Sequence, residues 1–259
     1  MSLGEHLVEL RKRLFRGAIA VVVGTIAGWV LYDLGIWTFL SAPITQLAEA
    51  QGQDGSKIAL NIANITGGFD IHLQVAIVVG IVISSPVWLY QVFAFFVPGL
   101  TRREKWYTFG FFFTAIPLFF LGCAAGWFVL PHIVDIMASF VPTGSTSLYD
   151  TKYYLDFVLK LVLATGIAFV LPVFLVLLNF VGVLQGRTIL KGWRWAILAI
   201  TLFTAIATPA ADVISMFLLA IPMVILYFAA VLVALWHDRV AARRAAIRSC
   251  QSATNTATK

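Results

Sequence analysis

Charged side chains are scarce in this sequence. Asp, Glu, Lys and Arg make up 12% of its 259 residues, while 61% are hydrophobic and the mean hydropathy is +0.93. Soluble domains run near a quarter charged, so this composition excludes an ordinary water-soluble globule and points to lipid as the solvent. Cysteine is nearly absent too. Cys123 lies inside an apolar run and Cys250 in the polar C-terminal tail, so no disulfide framework is expected. The four histidines, His6, His72, His132 and His237, stand at no metal-ligand spacing, and no HExxH, GxSxG or phosphate-loop pattern occurs. Enzymatic chemistry, a metal and a cofactor therefore have no support.

Apolar runs are abundant. Six candidate spans read as 14–34, 71–97, 106–130, 155–183, 195–207 and 213–236, each near the length that crosses a bilayer except the fifth. Pro98-Gly99 ends the second, Pro131 the third and Thr208-Pro209 the fifth. The first run is too long for a signal-peptide core and lacks a small-residue cleavage site, so it is expected to remain as an anchor. The expected fold is all-α: a polytopic membrane protein of six transmembrane helices, with short spans five and six. Residues 1–13 form an amphipathic helix, 14–236 the transmembrane domain, and 237–259 a basic, disordered tail. The amphipathic reading rests on Leu3, Leu7, Leu10 and Leu14 recurring on one helical face, after a Ser2–Glu5 capping box.

The few charges are sorted by side. With the N-terminus placed inside, every Lys and Arg of the 18 falls on the inner face except Lys57, Lys152 and Lys160. The acids reverse this. Asp33, Glu49, Asp54, Asp70, Asp135, Asp150, Asp156 and Asp212 fall outside, against Glu5, Glu9, Glu104 and Asp238 inside. The positive-inside rule then puts both termini in the cytoplasm. It also accounts for the net charge of +6 without nucleic acid. Two outer loops, of about 35 and about 24 residues, exceed the usual connection and are expected to pack as caps.

Deep ionisable residues of the kind that couple ions or protons are missing from the spans. Asn179 and Thr165 are polar but neutral, and Asp156 and Lys160 stand four apart, where they pair on a helix. A small-solute carrier is disfavoured on this ground. The informative charges are Glu9 and Glu104, two acids among many cations on the inner face. One reading is local: Glu9 pairs with Arg13, and Thr101 and Glu104 form a capping box. The other is a site for an external cation. A guanidinium suits it best, because its fork meets a carboxylate through two charge-assisted bonds.

The residues around these acids carry a resemblance. The string GEHLVELRKR over 4–13 resembles the HLxELRxR signature of the TatC family, the polytopic core subunit of the twin-arginine protein translocase. The run SPVWLYQVFAFFVPGL over 85–100, followed by Glu104, is similar to that family's SxPxxxYQxxxFxxPGLxxxE segment. Ser41-Ala-Pro43 resembles the start of its first outer loop, and Thr208-Pro209, Asp212-Val213 and LLAIPM over 218–223 its last hairpin.

The resemblance implies a cupped bundle of six helices and a receptor without enzymatic activity, in a bacterial cytoplasmic membrane. Such a receptor recognises twin-arginine signal peptides on folded cargo and works with single-span TatA- and TatB-type partners, driven by the proton-motive force. It implies several copies in a hetero-oligomer. Residue by residue, it assigns signal-peptide binding to Glu9, Glu104, Phe95, His6, Leu10, Arg11 and Arg13. It assigns partner docking to Thr208 and Met216 along the span-five edge, and extracytoplasmic roles to Pro43 and Asp212. The chain departs from the family at Val170, where many members carry Glu, at Met216, where a polar residue is frequent, and in a longer Pro209–Asp212 hairpin. A scaffold without receptor activity is the remaining rival.

Overall fold

In the computed structural model, residues 3–50, 58–62, 64–96, 102–139, 147–208 and 213–257 are described. Several side chains within these ranges, including those of residues 5, 6, 102–108 and 244–257, lie outside the description. The chain begins with α1 (Leu3–Leu31), passes through a kinked turn at Tyr32–Ile36, and continues as α2 (Trp37–Ala50). A short strand β1 (Ile58–Asn61) precedes α3 (Gly67–Ile83) and α4 (Ser85–Phe96). Next come α5 (Arg102–Ser139), β2 (Ser147–Asp150), α6 (Thr151–Phe180), α7 (Gly186–Lys191), α8 (Trp193–Ala207) and α9 (Val213–Ala257). Four helical stretches are long and apolar enough to cross a membrane, at Leu7–Thr45, Phe109–Met137, Thr151–Phe180 and Val213–Arg243, and the bent α3–α4 pair is a fifth candidate. The protein is thus a helical, multi-pass membrane protein.

Two bends depart from straight spans. The second span was expected to run unbroken, yet α3 and α4 meet at 56°. Pro86 is the cause: it lacks an N–H and crowds the preceding turn. Ser84 donates its N–H to Gly80 O, and Val87 and Trp88 restart the ladder on Ser84 O. The Trp88 indole donates to Ile81 O at 2.9 Å, satisfying a carbonyl beside the break. The other bend is at Gly35, whose φ of +133° is open to glycine and strained for other residues. It lets α1 turn over into α2.

Other limits also move. Pro131 does not end the third span; α5 continues to Ser139, held there by buried Leu130 and Ile133. Span six is not short, because α9 runs for 45 residues. The segment read as a disordered tail continues that helix, in keeping with the helix formers Ala241, Ala242, Arg243, Ala245 and Ala246. Within the segment read as a separate amphipathic helix, residues 3–13 are part of α1. The capping residues Ser2 and Thr101 and the Pro209–Asp212 hairpin lie outside the described residues.

α5 and α6 form the centre. One core cluster joins α2, α3, α5, α6 and α9 through Leu40, Val75, Leu130, Leu155 and Leu219. A second joins α4, α5 and α6 through Leu89, Phe93, Phe119 and Val170. Backbones approach closely where glycines allow it. A Cβ on Gly24 would stand 2.5 Å from Gly80 O, and one on Gly28 2.5 Å from Ala76 O. This Gly24-xxx-Gly28 pair packs α1 antiparallel on α3, as small-xxx-small faces do between membrane helices.

The two long loops come together. β1 and β2 form a two-stranded parallel sheet, Ile58 opposite Ser147 through Asn61 opposite Asp150. The Thr151 hydroxyl donates to Asn61 O at 3.0 Å, and Lys152 bridges to Asp70 at 2.9 Å. This face is the acidic end of the bundle. The opposite end, where α1 starts and α4 finishes, is the basic end.

Candidate functional site

The basic end is organised around α1. Glu9 and Arg13 stand four residues apart and so face one another across a helical turn. Both the Arg13 Nε and Nη2 donate to the same Glu9 oxygen, at 3.1 and 2.6 Å. The pair is about three-quarters buried, with side-chain exposures of 24% for Glu9 and 20% for Arg13. The second Glu9 oxygen has no partner among the described residues. The carboxylate is therefore already in the geometry of a guanidinium site, with acceptor capacity left over.

Beside this pair, α1 and α4 enclose a groove of about 610 Å³. Its walls include Leu10, Arg13, Trp88 and Phe95. The structure thus brings together three of the residues assigned by resemblance, Leu10, Arg13 and Phe95, with Glu9 attached through Arg13. Arg11 is exposed. The helical backbone carries His6 in the first turns of α1 and Glu104 in the first turn of α5, but both side chains lie outside the described residues. α4 packs on both α1 and α5, so Phe95 and the start of α5 belong to the same end.

The other assigned positions are dispersed. Thr208 caps the C-terminus of α8, is buried, and donates its hydroxyl to Thr204 O at 2.9 Å. Met216 is half-buried in the first turn of α9. Pro43 is buried within α2, and Asp212 lies outside the described residues. Val170 fills the core between α4, α5 and α6, so apolar packing replaces any acid there. Asp156 binds both Lys160 at 2.5 Å and Gln74 at 2.8 Å; the i,i+4 spacing revealed the first partner but not the second, which comes from α3.

Sequence reading missed several groups. Trp88 and Gln91 line the groove, and the Gln91 amide oxygen is buried without a partner among the described residues; the aromatic and polar residues of 85–100 were the available signal. Asp238 was counted only as an inner acid. It accepts from Asn179 Nδ2 at 2.9 Å and from the Gly186 N–H at 2.7 Å, tying α9 to the α6–α7 turn. His72 is stacked between Trp29 and Tyr32, with centroid distances of 4.0 and 3.9 Å. Among the described residues, no three His, Cys, Asp or Glu side chains are grouped to hold a metal ion.

Comparison with known proteins adds an independent line. A family profile described as Sec-independent protein translocase protein (TatC) matches residues 5–222. The Sec-independent protein translocase protein TatC of Xylanimonas cellulosilytica is 48% identical over 246 residues, covering 95% of this chain and 88% of that protein. The TatCy protein of Bacillus subtilis is 32% identical over 90% of this chain and 88% of its own length. A crystal structure of the twin-arginine translocase receptor TatC superposes with a TM-score of 0.72 at 31% identity, covering 88% of this chain and 97% of that one. A second, of the same receptor in DDM, gives 0.74 at 30% identity.

Proposed function

The chain belongs to the TatC family of Sec-independent protein translocase proteins, and from that membership we propose that it is the receptor subunit that binds twin-arginine signal peptides. Membership in a translocase family makes it a component of protein transport rather than a catalyst. The observation that carries the receptor reading is the Glu9 carboxylate, held at 2.6 Å by a guanidinium of its own chain beside Phe95 and Leu10. A site that already accepts one arginine has the chemistry to accept another. An incoming arginine either replaces Arg13 on the carboxylate, one charge-assisted pair for another, or uses the open oxygen. In this reading Glu104 receives the second arginine, and His6 and Arg11 border the site.

The same reading has six spans, with α3–α4 as one bent span and α8 as a short one. It places the chain in a bacterial cytoplasmic membrane with both termini on the cytoplasmic side, following the charge sorting. Single-span TatA- and TatB-type proteins dock along α8 near Thr208 and Met216, several copies assemble, and the proton-motive force drives export without nucleotide. Pro43 and Asp212 serve the outer side.

The test is photo-crosslinking of a twin-arginine signal peptide to the full chain in membranes. Signals with Arg-Arg and Lys-Lys are compared on wild type, Glu104→Ala and Glu9→Gln. Labelling near Glu9 and Phe95 that is lost with each change supports the site. Labelling indifferent to all of them removes it.

A further inference from the structure

A second concentration of positive charge lies away from α1, where α7, α8 and α9 meet. These helices pack through buried Ile189, Tyr227, Val231 and Ala234, and the Tyr227 hydroxyl donates to Ile189 O at 2.6 Å. The packing brings cations from three elements onto one unit. Arg187, Lys191, Arg194, Arg239 and Arg243 are all exposed, and none makes an ion pair among the described residues. The sequence has no acid between Asp156 and Asp212, and Asp238 is the only acid after that. Both Asp238 oxygens are turned inward, to Asn179 and to the Gly186 N–H, so the surface keeps a large excess of positive charge. Arg187 and Lys191 stand four apart on α7, and Arg239 and Arg243 four apart on α9, a spacing at which like charges repel. No other group of α7, α8 or α9 relieves that repulsion, whereas an external anion does.

The residues between these cations decide which anion. Val183, Leu190, Trp193, Trp195 and Trp236 are large, apolar and exposed, Trp195 at 76% and Trp236 at 68%. Trp193 opens α8, and Trp236 directly precedes His237-Asp238-Arg239, so the rings stand where spans give way to polar sequence. Tryptophan at such positions marks the headgroup level of a bilayer. The Arg194 guanidinium lies 5.6 Å from the centroid of the Trp193 ring, a cation–π distance that holds its charge at the level of the ring. Cations interleaved with exposed apolar rings compose a surface for the boundary between headgroups and acyl chains. Charge sorting across the membrane does not require these five cations to share one packed surface. A soluble acidic protein accounts for the cations but not for rings at bilayer level. The inner flank of another membrane protein is itself rich in Lys and Arg and is repelled. Lipid phosphate is the anion present at that depth, and arginine meets phosphate through its fork.

We propose that the surface formed by α7 and the adjoining ends of α8 and α9 is a docking site for anionic phospholipid headgroups. Phosphates sit against the cation pairs of α7 and α9 and against Arg194, with Trp193, Trp195 and Trp236 as the flanking interfacial anchors. The surface shares no residue with the proposed signal-peptide site and stands independently of that reading.

The experiment uses the full chain in phosphatidylcholine nanodiscs that carry a trace of phosphatidylglycerol with a photoreactive group near its headgroup. Photoreactive phosphatidylcholine is the control, and labelled peptides are mapped by mass spectrometry. A cation near the surface favours an anionic lipid roughly fivefold, so we expect phosphatidylglycerol to label 183–195 and 232–240 at least about tenfold above phosphatidylcholine. High salt shrinks the preference, because exposed charges are screened. Arg187→Gln, Lys191→Gln and Arg194→Gln combined remove most of it at 183–195, and Arg239→Gln with Arg243→Gln at 232–240. Arg187→Lys with Arg194→Lys retains most of it, since an ammonium still meets phosphate as a point charge; this separates lost charge from lost fold. Lys12→Gln with Arg16→Gln, two exposed cations of α1, leaves it unchanged. Equal labelling by the two lipids in wild type overturns the proposal, as does a preference that survives neutralisation of all five cations. A preference that falls as much with the α1 variant reduces the site to a diffuse field and overturns it too. Displacement of the lipid by millimolar inorganic phosphate assigns the surface to a free anion instead.

Discussion

Arg13 organises the basic end of the molecule. It neutralises Glu9 from one side and lines the groove from the other. A charge-assisted hydrogen bond is worth about 1.5–3 kcal/mol, so Glu9→Gln should weaken a twin-arginine signal tenfold to a hundredfold while preserving side-chain shape. Titration of the full chain in detergent with a labelled signal peptide measures this; unchanged affinity would remove Glu9 from the site. A second residue-scale expectation concerns Asp238. It accepts from Asn179, which is 3% exposed, and from the buried N–H of Gly186. Asp238→Ala strands the Gly186 donor and one Asn179 N–H, at a cost of about 1–3 kcal/mol, and should lower the detergent melting temperature. Asp238→Asn keeps an acceptor and should fall between that variant and wild type.

At the scale of elements, the apolar runs announced where the helices lie, because a span in lipid must satisfy its backbone internally and helix is the available solution. Their limits were less legible. Pro131 looks like a stop from sequence, yet packing of Leu130 and Ile133 carries α5 through it. Pro86 sits inside an equally apolar run and does bend it. The difference lies in neighbours: Trp88 satisfies a carbonyl at the α3–α4 break, a compensation that one chain's linear order does not display. Gly24-xxx-Gly28 has the spacing of a helix-contact face, but among 19 glycines the sequence does not single it out. It gives a direct expectation. A methyl on Gly80 would meet backbone, 2.5 Å from Thr25 N and 2.7 Å from Gly24 C, and backbone cannot swing aside. Gly80→Ala should destabilise by about 1–3 kcal/mol through overpacking. Gly110, with nothing within 4 Å of its added Cβ, should accept Ala with no loss, as thermal unfolding of both variants in one detergent would show.

At the scale of the molecule, charge sorting defined two ends, but it did not foresee that the long loops meet as a parallel sheet. β1 and β2 are separated by some ninety residues of sequence, and four-residue strands leave little periodic signal. The proposed receptor residues come from resemblance and spacing, whereas the groove beside them arises only when α4 bends against α1. The last whole-molecule feature is the thinness of one flank. α8 has 15 residues, about 22 Å of helix against a hydrocarbon core near 30 Å. It presents Leu198, Leu202 and Ile206 outward, each more than half exposed. A flank this short either thins the bilayer or is covered by another helix, and a single-span partner offers that cover. In the proposed docking, Met216 offers no polar group, so the contact would come from packing rather than a buried hydrogen bond. Single cysteines at Leu198, Leu202 and Ile206, in a Cys123→Ala, Cys250→Ala background, should therefore crosslink to a cysteine in the membrane helix of a TatB-type partner. Thr204, fully buried on the opposite side of α8, should not. A partner that crosslinks equally well at Thr204, or at none of the three outward positions, would move the docking surface away from α8.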